Sequence, residues 1–553
     1  MRRLPDVPLI VVVIALTGLA MLVPAAFGLA TGDRILALSF AQSSGLVLGL
    51  ALILGAATRG YRPRHPTRSQ FISLLGVYLL VPVLAAVPIT GQLVFPLGGG
   101  DRLLPLAADA GAAPVALLGL PQTFRPFDAW FEMVSSFTTT GATLLDRPHS
   151  VAPGVHLWRA MVGWLGGFFV LFAALGMLAP VNLGGVEVES GLPPGRSPVP
   201  ASVARLQAAA PVSRGRRAAR VARGRTAEDA GARLIAAARQ LFPVYAGLTL
   251  GLWLGLVLTG EPAFVAICHA MSVMATSGIS PIGGMEHAAA GRAGEVLVLL
   301  CLAFALSRRC LPGTAWQAPG LRLHRDIELR TGLAAILIVT LLLTLRQWSG
   351  AAAGGALGDG AAALRAFWGS LFTAASFLST TGFVSADWAG SRLWSGLAPP
   401  GLALAGLALI GGGVATTAGG IGLLRVYALY RHGRHEMDKL MHPSLVGGEA
   451  PRKRRIRAEG SYAAWLALMM LIAVFAAVIA ALSMAGLNLE PAMILAAAAL
   501  STTGPLAAMA ASGPLAYSGL DDGVLSLLAV AMVLGRLELL AVLALLMPDA
   551  WRA

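Results

Sequence analysis

The chain has 553 residues, of which 56% are hydrophobic and 12% charged, and its mean hydropathy is +0.74. A soluble core cannot bury so much apolar surface, so the composition predicts a polytopic membrane protein. The formal net charge is +14, but the basic residues are concentrated in loops between apolar runs, a distribution that indicates membrane topology. Nucleic acid is therefore not an expected partner.

Ten apolar runs approach the length of about 20 residues that an α-helix needs to cross the hydrocarbon layer. The predicted spans lie near 8–30, 34–56, 71–92, 156–180, 236–259, 291–311, 328–347, 400–430, 461–486 and 523–547. The first is interpreted as a retained span rather than a signal peptide. The positive-inside rule then predicts a multi-pass protein of the cytoplasmic (inner) membrane with both termini inside.

Four shorter apolar segments on the outer side end in hydroxyl residues followed by a glycine. The segments are residues 127–137, 264–274, 364–378 and 490–500, and they precede Thr139-Thr140-Gly141, Thr276-Ser277-Gly278, Thr380-Thr381-Gly382 and Thr502-Thr503-Gly504. Each lies between two spans, so a unit of span, re-entrant helix, turn and span occurs four times. A similar triplet, Ser43-Ser44-Gly45, lies inside a span and is attributed to close helix packing.

Non-helical backbone at membrane depth is tolerated only where protein buries it or water reaches it, so four such turns imply a shared polar path. Rings of backbone carbonyls replace the hydration shell of a cation in channel filters. Glycine permits the positive φ that inward-pointing carbonyls often require, and the hydroxyls of the preceding residues add further oxygens. All four triplets are therefore predicted to form one cation-selectivity filter.

Several other motifs accompany the turns. They are Leu157-Trp158-Arg159, Trp164-Leu165-Gly166-Gly167, Ala415-Thr416-Thr417-Ala418-Gly419-Gly420-Ile421 followed by Arg425, and Leu534-Gly535-Arg536-Leu537-Glu538. With them, nearly the whole chain resembles the Trk/Ktr/HKT superfamily of potassium transporters, most closely its TrkH branch. Glycine at all four filter positions is similar to the potassium-selective pattern, whereas some sodium-carrying relatives have serine in the first repeat.

The resemblance implies an all-α polytopic fold with four membrane–pore–membrane repeats around a pseudo-fourfold pore, plus an N-terminal two-helix hairpin. It also implies potassium as the ion, a homodimer, and a cytosolic ring of nucleotide-binding, TrkA-like regulatory subunits. The basic run 452–455 is expected to enforce topology, with anionic membrane lipid or the regulatory ring as further partners.

The predicted organisation divides the chain into seven parts. These are an N-terminal transmembrane hairpin (1–60), pore repeat 1 (61–180), a basic cytoplasmic insertion (181–235), pore repeat 2 (236–320), pore repeat 3 (321–430), a basic cytoplasmic loop (431–460) and pore repeat 4 (461–553).

A glycine-rich run interrupts the span predicted at 400–430. It contains Gly411, Gly412, Gly413, Gly419 and Gly420. Each glycine disfavours a continuous helix by about 1 kcal/mol, so a break is expected; a close helix crossing is the alternative interpretation. In TrkH-like proteins the corresponding segment is an intramembrane loop that obstructs the pore, so the resemblance implies that this run is the gate. The family often has a lysine where this chain has Gly422.

Arg536 is predicted to lie about midway along the last span, where a charge costs roughly 3 kcal/mol. A structural ion pair between helices is one interpretation. The resemblance implies instead that Arg536 lies near the gate, below the filter, where it raises the barrier to cations. Glu538 is not expected to pair with it, because side chains two residues apart do not face each other on a helix.

Other polar and aromatic residues receive structural interpretations. His269 is predicted to be packed rather than to bind a metal, and Trp130, Trp158, Trp164 and Trp368 are predicted to be interfacial anchors. Cys268, Cys301 and Cys310 lack metal-ligand spacing, so neither disulfides nor a zinc site is expected.

Two other functions are weighed against potassium uptake. A sodium-permeable or proton-coupled carrier of the same fold is one, because the second triplet has Thr276-Ser277 where the others have two threonines. Gly278 is accordingly predicted to be the place where selectivity is most easily altered. A polytopic membrane enzyme is the other, but it would need several intramembrane His, Asp or Glu residues. The predicted spans contain almost none, so no catalytic residue is proposed.

Overall fold

The computed structural model describes residues 8–58, 66–90, 120, 124–178, 216–310, 326–354, 360–441, 458–510 and 513–537. Every regular element within these ranges is a helix, and eight helices are long and apolar enough to cross a membrane. The predicted all-α polytopic architecture is confirmed.

The N-terminal hairpin consists of α1 (Leu9–Ala20), α2 (Leu22–Thr31) and α3 (Arg34–Ala57). α1 and α2 form one span that is interrupted only at Met21, and the chain reverses at Gly32, where φ is +81°. A residue without a Cβ adopts this left-handed conformation readily. Ser44 Oγ of α3 donates to the carbonyl of Gly18 in α1 at 2.7 Å, so the Ser-Ser-Gly triplet lies in a helix–helix contact.

Each of the four repeats contains a long helix, a pore helix and a further helix; the third pore helix has 19 residues and is one of the eight helices long enough to cross a membrane, whereas the others have 12 or 13. The first has α4 (Pro66–Ala86), α5 (Pro126–Phe137) and α6 (Pro153–Ala173), and the second has α7 (Arg216–Leu258), α8 (Ala263–Ala275) and α9 (Gly291–Leu306). The third has α10 (Ile327–Ala353), α11 (Gly360–Leu378), α12 (Ala386–Ser395), α13 (Gly401–Ile410) and α14 (Leu423–Met441), and the fourth has α15 (Ala458–Met484), α16 (Leu489–Leu500) and α17 (Asp522–Arg536). The pore helices are α5, α8, α11 and α16.

Three predicted spans differ from the observed helices. The span predicted at 400–430 is divided into α13 and α14, and the span predicted at 291–311 is helical for only 16 residues. The last predicted span is helical only as far as Arg536, and residues 538–547 lie outside the described part. The long helix α7 runs unbroken through residue 235, the predicted end of the cytoplasmic insertion, whereas residues 181–215 are not described.

Glycines allow the second span of two repeats to approach the ends of the pore helices. A Cβ on Gly166 of α6 would collide with the carbonyl of Phe137, the last residue of α5. A Cβ on Gly535 of α17 would collide in the same way with the carbonyl of Leu500, the last residue of α16. Two of the motifs found in the sequence therefore bring the backbone of a span against the turn that follows a pore helix.

Candidate functional site

All four pore helices end in the same backbone turn. The N–H of the middle triplet residue donates to the carbonyl five residues earlier, from Thr140 to Ser135, Ser277 to Ser272, Thr381 to Ser376 and Thr503 to Ala498, at 2.8–2.9 Å. The first triplet residue is left-handed in every case, with φ of +54° at Thr139, +51° at Thr276, +60° at Thr380 and +56° at Thr502. These are Schellman turns, which usually place glycine at the left-handed position. A threonine in the left-handed conformation costs about 1–2 kcal/mol, and nothing in the sequence indicated that these threonines adopt it.

The glycines themselves are not equivalent. Gly141, Gly278 and Gly382 have φ of +74°, +64° and +80°, whereas Gly504 begins a 3₁₀ turn over Gly504–Met509 and is not left-handed. Glycine therefore has the positive φ that it permits at three of the turns but not at the fourth. Backbone conformation distinguishes Gly504 from the rest, although the sequence had singled out Gly278.

The four turns form a closed ring in which each glycine abuts the next repeat. The contacts run from Gly141 to Ser277, from Gly278 to Thr381, from Gly382 to Pro505 and from Gly504 to Ala142. A Cβ at any of the four glycines would lie within 3.0 Å of the neighbouring turn. The ring closes where the N–H of Gly504 donates to the carbonyl of Thr140 at 2.6 Å. Lack of space therefore requires glycine at positions 141, 278 and 504, whereas at Gly382, whose nearest neighbours are ring carbons of Pro505 at 3.0–3.1 Å, the φ of +80° is the stronger reason.

Hydroxyl groups surround this ring in two sets. Those of the middle triplet residues bond to a hydroxyl of their own repeat at 2.8–3.2 Å: Thr140 pairs with Thr138 and Thr381 with Ser379, Ser277 donates to Ser272, and Thr503 accepts from Ser501. Those of Thr139, Thr276 and Thr380 face other elements, as described below. Within the described ranges, no cluster of three His, Cys, Asp or Glu side chains could hold a metal ion. Any cation at the ring would therefore meet carbonyl and hydroxyl oxygens.

The glycine-rich run forms a loop, residues 411–422, between α13 and α14. Positive φ occurs at Gly411 (+71°), Ala415 (+56°), Gly420 (+81°) and Gly422 (+94°), which explains why the helix breaks here. One side of the loop is anchored to α9 and α10. The N–H of Gly413 and Thr416 Oγ1 both donate to the carbonyl of Ala305, at 2.9 and 3.0 Å, and the N–H of Val414 donates to Glu328 Oε1 at 2.9 Å.

The other side of the loop contacts three of the turns. Thr276 Oγ1 donates to the carbonyl of Thr417 at 2.9 Å, and the N–H of Gly419 donates to Thr380 Oγ1 at 2.8 Å. Gly419 also lies against the carbonyl of Ser501, where a Cβ would collide. The loop therefore covers the ring on the side where the pore helices end.

Arg536 completes this contact at the first turn. Its Nε donates to the carbonyl of Thr138 and its Nη1 to the carbonyl of Thr417, each at 2.6 Å, and its Nη2 donates to Thr139 Oγ1. The side chain thus joins the loop to the first turn. Arg536 is the last residue of α17, followed by extended backbone at Leu537, so it does not lie midway along a continuous helix as predicted. Glu538 lies outside the described residues.

Comparison with known proteins agrees with this architecture. A family model described as "TrkH: Cation transport protein" matches residues 320–550. Trk system potassium uptake protein TrkH of Halomonas elongata is 26% identical over 450 residues, which cover 80% of this chain and 83% of that protein. Trk system potassium uptake protein TrkG of Escherichia coli is 28% identical over 437 residues, covering 77% and 79%. The chain is therefore similar to Trk potassium uptake proteins over 77–80% of its length.

The fold of this chain is also that of a solved structure. The crystal structure of the potassium transporter TrkH from Vibrio parahaemolyticus superposes with a TM-score of 0.73 at 22% identity, and the match covers 99% of both chains. The proteins it resembles are transporters, and the chain is a transport protein rather than an enzyme.

Ion pairs connect neighbouring repeats beyond the turns. The Arg125 guanidinium donates to both carboxylate oxygens of Asp522, at 2.8 and 2.6 Å, and so connects repeat 1 to repeat 4. These hydrogen bonds lower the pKa of Asp522. Arg292 pairs with Asp387 at 2.7 Å and connects repeat 2 to repeat 3. Such half-exposed pairs align the repeats more than they stabilise them.

Buried charged residues are the main feature that sequence reasoning missed. Glu132 of α5 and Arg159 of α6 form an ion pair at 2.9 Å with side chains that are 1% and 4% exposed, and Glu295 of α9 is fully buried. The predicted spans were expected to contain almost no acidic residues, but Glu295 lies inside one of them. The sequence shows Arg159 only as part of the motif Leu157-Trp158-Arg159. Its pairing with Glu132 could not be predicted, because packing between helices decides which residue a buried charge meets.

The side chains of Trp158, Trp164 and His269 all make polar contacts inside the protein. Trp158 is not an interfacial anchor, since it is fully buried and donates to the carbonyl of Ala85 at 2.9 Å. Trp164 likewise donates to Thr249 Oγ1 at 2.9 Å. His269 is packed in the interior, as predicted, and its Nε2 lies 2.8 Å from Ser280 Oγ.

Proposed function

We propose that this chain is the ion-conducting subunit of a potassium uptake system and that potassium crosses the cytoplasmic membrane through the ring of four turns. The observation that carries the proposal is the closed ring, in which each glycine abuts the turn of the next repeat. Rings of backbone oxygens of this kind replace the hydration shell of a cation. The relatives named above are potassium uptake proteins, which favours potassium as the ion.

The gate of this pore is, in our proposal, the loop 411–422 together with Arg536. Support comes from the hydrogen bonds by which Thr417, Gly419 and Arg536 cover the ring. Those bonds occupy hydroxyl and carbonyl oxygens that a passing cation needs, and the guanidinium repels cations by its charge. Conduction would require the loop to move away.

We also propose how the chain assembles with other subunits. We expect a homodimer in the inner membrane, in contact with lipid, that binds a cytosolic ring of nucleotide-binding subunits. The family resemblance supports this expectation, and the basic residues of α14 and of the 431–460 loop offer a positive cytoplasmic face. Cross-linking in native membranes, with and without the soluble subunit, tests both parts.

Expression in a strain that lacks potassium uptake systems tests the central proposal. The chain should restore growth at low potassium and should take up rubidium, a potassium analogue, in competition with potassium but much less with sodium. Failure to restore growth, with the protein present in the membrane at normal amounts, would overturn the proposal. Strong inhibition of rubidium uptake by sodium would instead favour a sodium-permeable carrier.

A further inference from the structure

The segment that follows the first filter glycine is held by a buried carboxylate. Glu132 Oε1 accepts hydrogen bonds from Thr143 Oγ1 at 2.7 Å and from the N–H of Leu144 at 2.5 Å. Its other oxygen, Oε2, lies 2.9 Å from Arg159 Nε. The side chain is 1% exposed and bonds to backbone just beyond Gly141. It therefore fixes the outer end of the first turn from within the protein.

The third turn is held in the same way, but by a residue from another repeat. Glu295 lies on α9 of repeat 2 and is fully buried. Its Oε1 accepts from the N–H of Ala386 at 2.7 Å, and its Oε2 accepts from Ser385 Oγ at 2.9 Å and from Trp368 Nε1 at 2.6 Å. Trp368 belongs to the third pore helix, and Ser385 follows the third glycine by three residues. One carboxylate thus connects the pore helix and the outer end of the turn.

The second and fourth turns have weaker, uncharged contacts of the same kind. His269 Nε2 lies 2.8 Å from Ser280 Oγ, two residues after Gly278, and Tyr517 Oη donates to the carbonyl of Gly504 at 3.0 Å. Glu132 and His269 both stand nine residues before their filter glycine. In repeats 3 and 4 that position holds Thr373 and Leu495, and Glu295 and Tyr517 make the contact instead.

We propose that Glu132 and Glu295 are positioning residues that set the cation selectivity of the filter. The inference rests on the proposed function, since it assumes that the ring of turns conducts ions. In the order of the ring, repeats 1 and 3 lie diagonally opposite, so the two carboxylates hold opposite sides. A filter made of carbonyls discriminates between cations through the number and placement of its oxygens. Loosening one side alters that placement without removing any oxygen from the ring.

The two carboxylates call for different test variants. Glu132→Gln leaves Arg159 as a buried charge without its partner, which endangers folding. Thr143→Val, which keeps the shape of the side chain, removes the hydrogen bond to Glu132 and the one that Thr143 Oγ1 accepts from the N–H of Leu145, and it leaves the ion pair intact. Glu295 accepts from three neutral donors, so Glu295→Gln sets an amide N–H against at least one of them. Glu286→Gln removes an exposed carboxylate from the same repeat and serves as the matched control.

The experiment measures rubidium uptake into cells or proteoliposomes at increasing sodium, and it determines KM, maximal rate and the sodium inhibition constant. Glu295→Gln should lower the preference for rubidium over sodium by about tenfold, the effect of losing a hydrogen bond to a charged group. Thr143→Val should lower it by a few-fold in the same direction. Maximal rubidium uptake should change much less than the ratio, and Glu286→Gln should match the wild-type chain.

A purely structural role would lower the amount of folded protein and the maximal rate while leaving the ion preference unchanged. That result in both Glu295→Gln and Thr143→Val overturns the inference. If Glu295→Gln does not reach the membrane, Thr143→Val decides alone, and a wild-type ratio in it overturns the inference. If the wild-type chain itself transports neither ion, the proposed function fails instead, so the two failures are distinguishable.

Discussion

Replacing Arg536 by glutamine tests whether the contact between loop and filter keeps the pore closed. The guanidinium donates to the carbonyls of Thr138 and Thr417 and to the hydroxyl of Thr139, and these bonds belong to the arrangement in which the loop covers the ring. Glutamine is shorter and uncharged and can replace one of the three at most. The variant therefore loses at least two of the three charge-assisted hydrogen bonds by which this side chain joins the loop, at Thr417, to the first turn, at Thr138 and Thr139.

The size of the effect follows from those bonds. A hydrogen bond to a charged group contributes about 1.5–3 kcal/mol, so the lower value for two bonds is about 3 kcal/mol. At about 1.4 kcal/mol per factor of ten, the ratio of open to closed pores rises by about 100-fold. A pore open about 1% of the time would then be open about half the time. Loss of the positive charge adds to this increase, because it lowers the barrier to a cation.

Rubidium influx into proteoliposomes that contain equal amounts of purified protein is the appropriate assay. Arg536→Lys keeps the charge but loses the planar fork, so its influx separates charge from geometry. Arg346→Gln is the control, since Arg346 donates to the carbonyl of Ala398 between α12 and α13. Influx through Arg536→Gln that equals or falls below the wild-type value, with the protein folded, contradicts the assignment of Arg536 to the gate.

Three further outcomes are expected. Gly504→Ala should abolish rubidium uptake because its methyl group would collide with the backbone of the first turn, whereas Gly45→Ala, whose added Cβ meets nothing within 4 Å, should transport normally; equal uptake by the two would contradict the closed ring. In Gly411→Ala the added Cβ would collide with the carbonyl of Gly419 on the opposite side of the loop, at a residue whose φ of +71° already disfavours alanine. Basal influx should therefore rise, and a pore that stays impermeable would count against the loop as gate. Asp522→Asn removes the half-exposed ion pair with Arg125, which keeps its pair with Asp128; the lost pair contributes about 1 kcal/mol or less, so the melting temperature should fall by no more than about 4 °C, and a much larger fall would show that the pair does more than align two repeats.

The sequence predicted the repeated unit because each of its signals is local. A re-entrant helix is visible as an apolar segment too short to cross the bilayer, and a break in a span is visible as a run of glycines such as residues 411–413. The observed loop between Ile410 and Leu423 lies where that run predicted a break. The family resemblance added the expectation that the four units surround one pore.

Local signals were insufficient where the conformation of a residue depends on its neighbours in space. The left-handed threonines at the ends of the pore helices have no distinctive sequence signal, since threonine disfavours that conformation. Gly504 has the same local sequence as Gly382 but a different backbone, because Pro505 follows it and the chain continues into a 3₁₀ turn. Matching triplets therefore did not imply matching turns.

What the sequence by itself determined is the set of helices, their order and the places where the backbone must leave the helical conformation. These depend on hydrophobicity and on glycine, whose effects act within a few residues. Only the tertiary structure decided that Glu295 holds a turn of the next repeat and that Arg536 reaches Thr138, 398 residues earlier in the chain. A buried polar group must find its partners wherever packing places them, and that placement follows from how four imperfect repeats close into one ring.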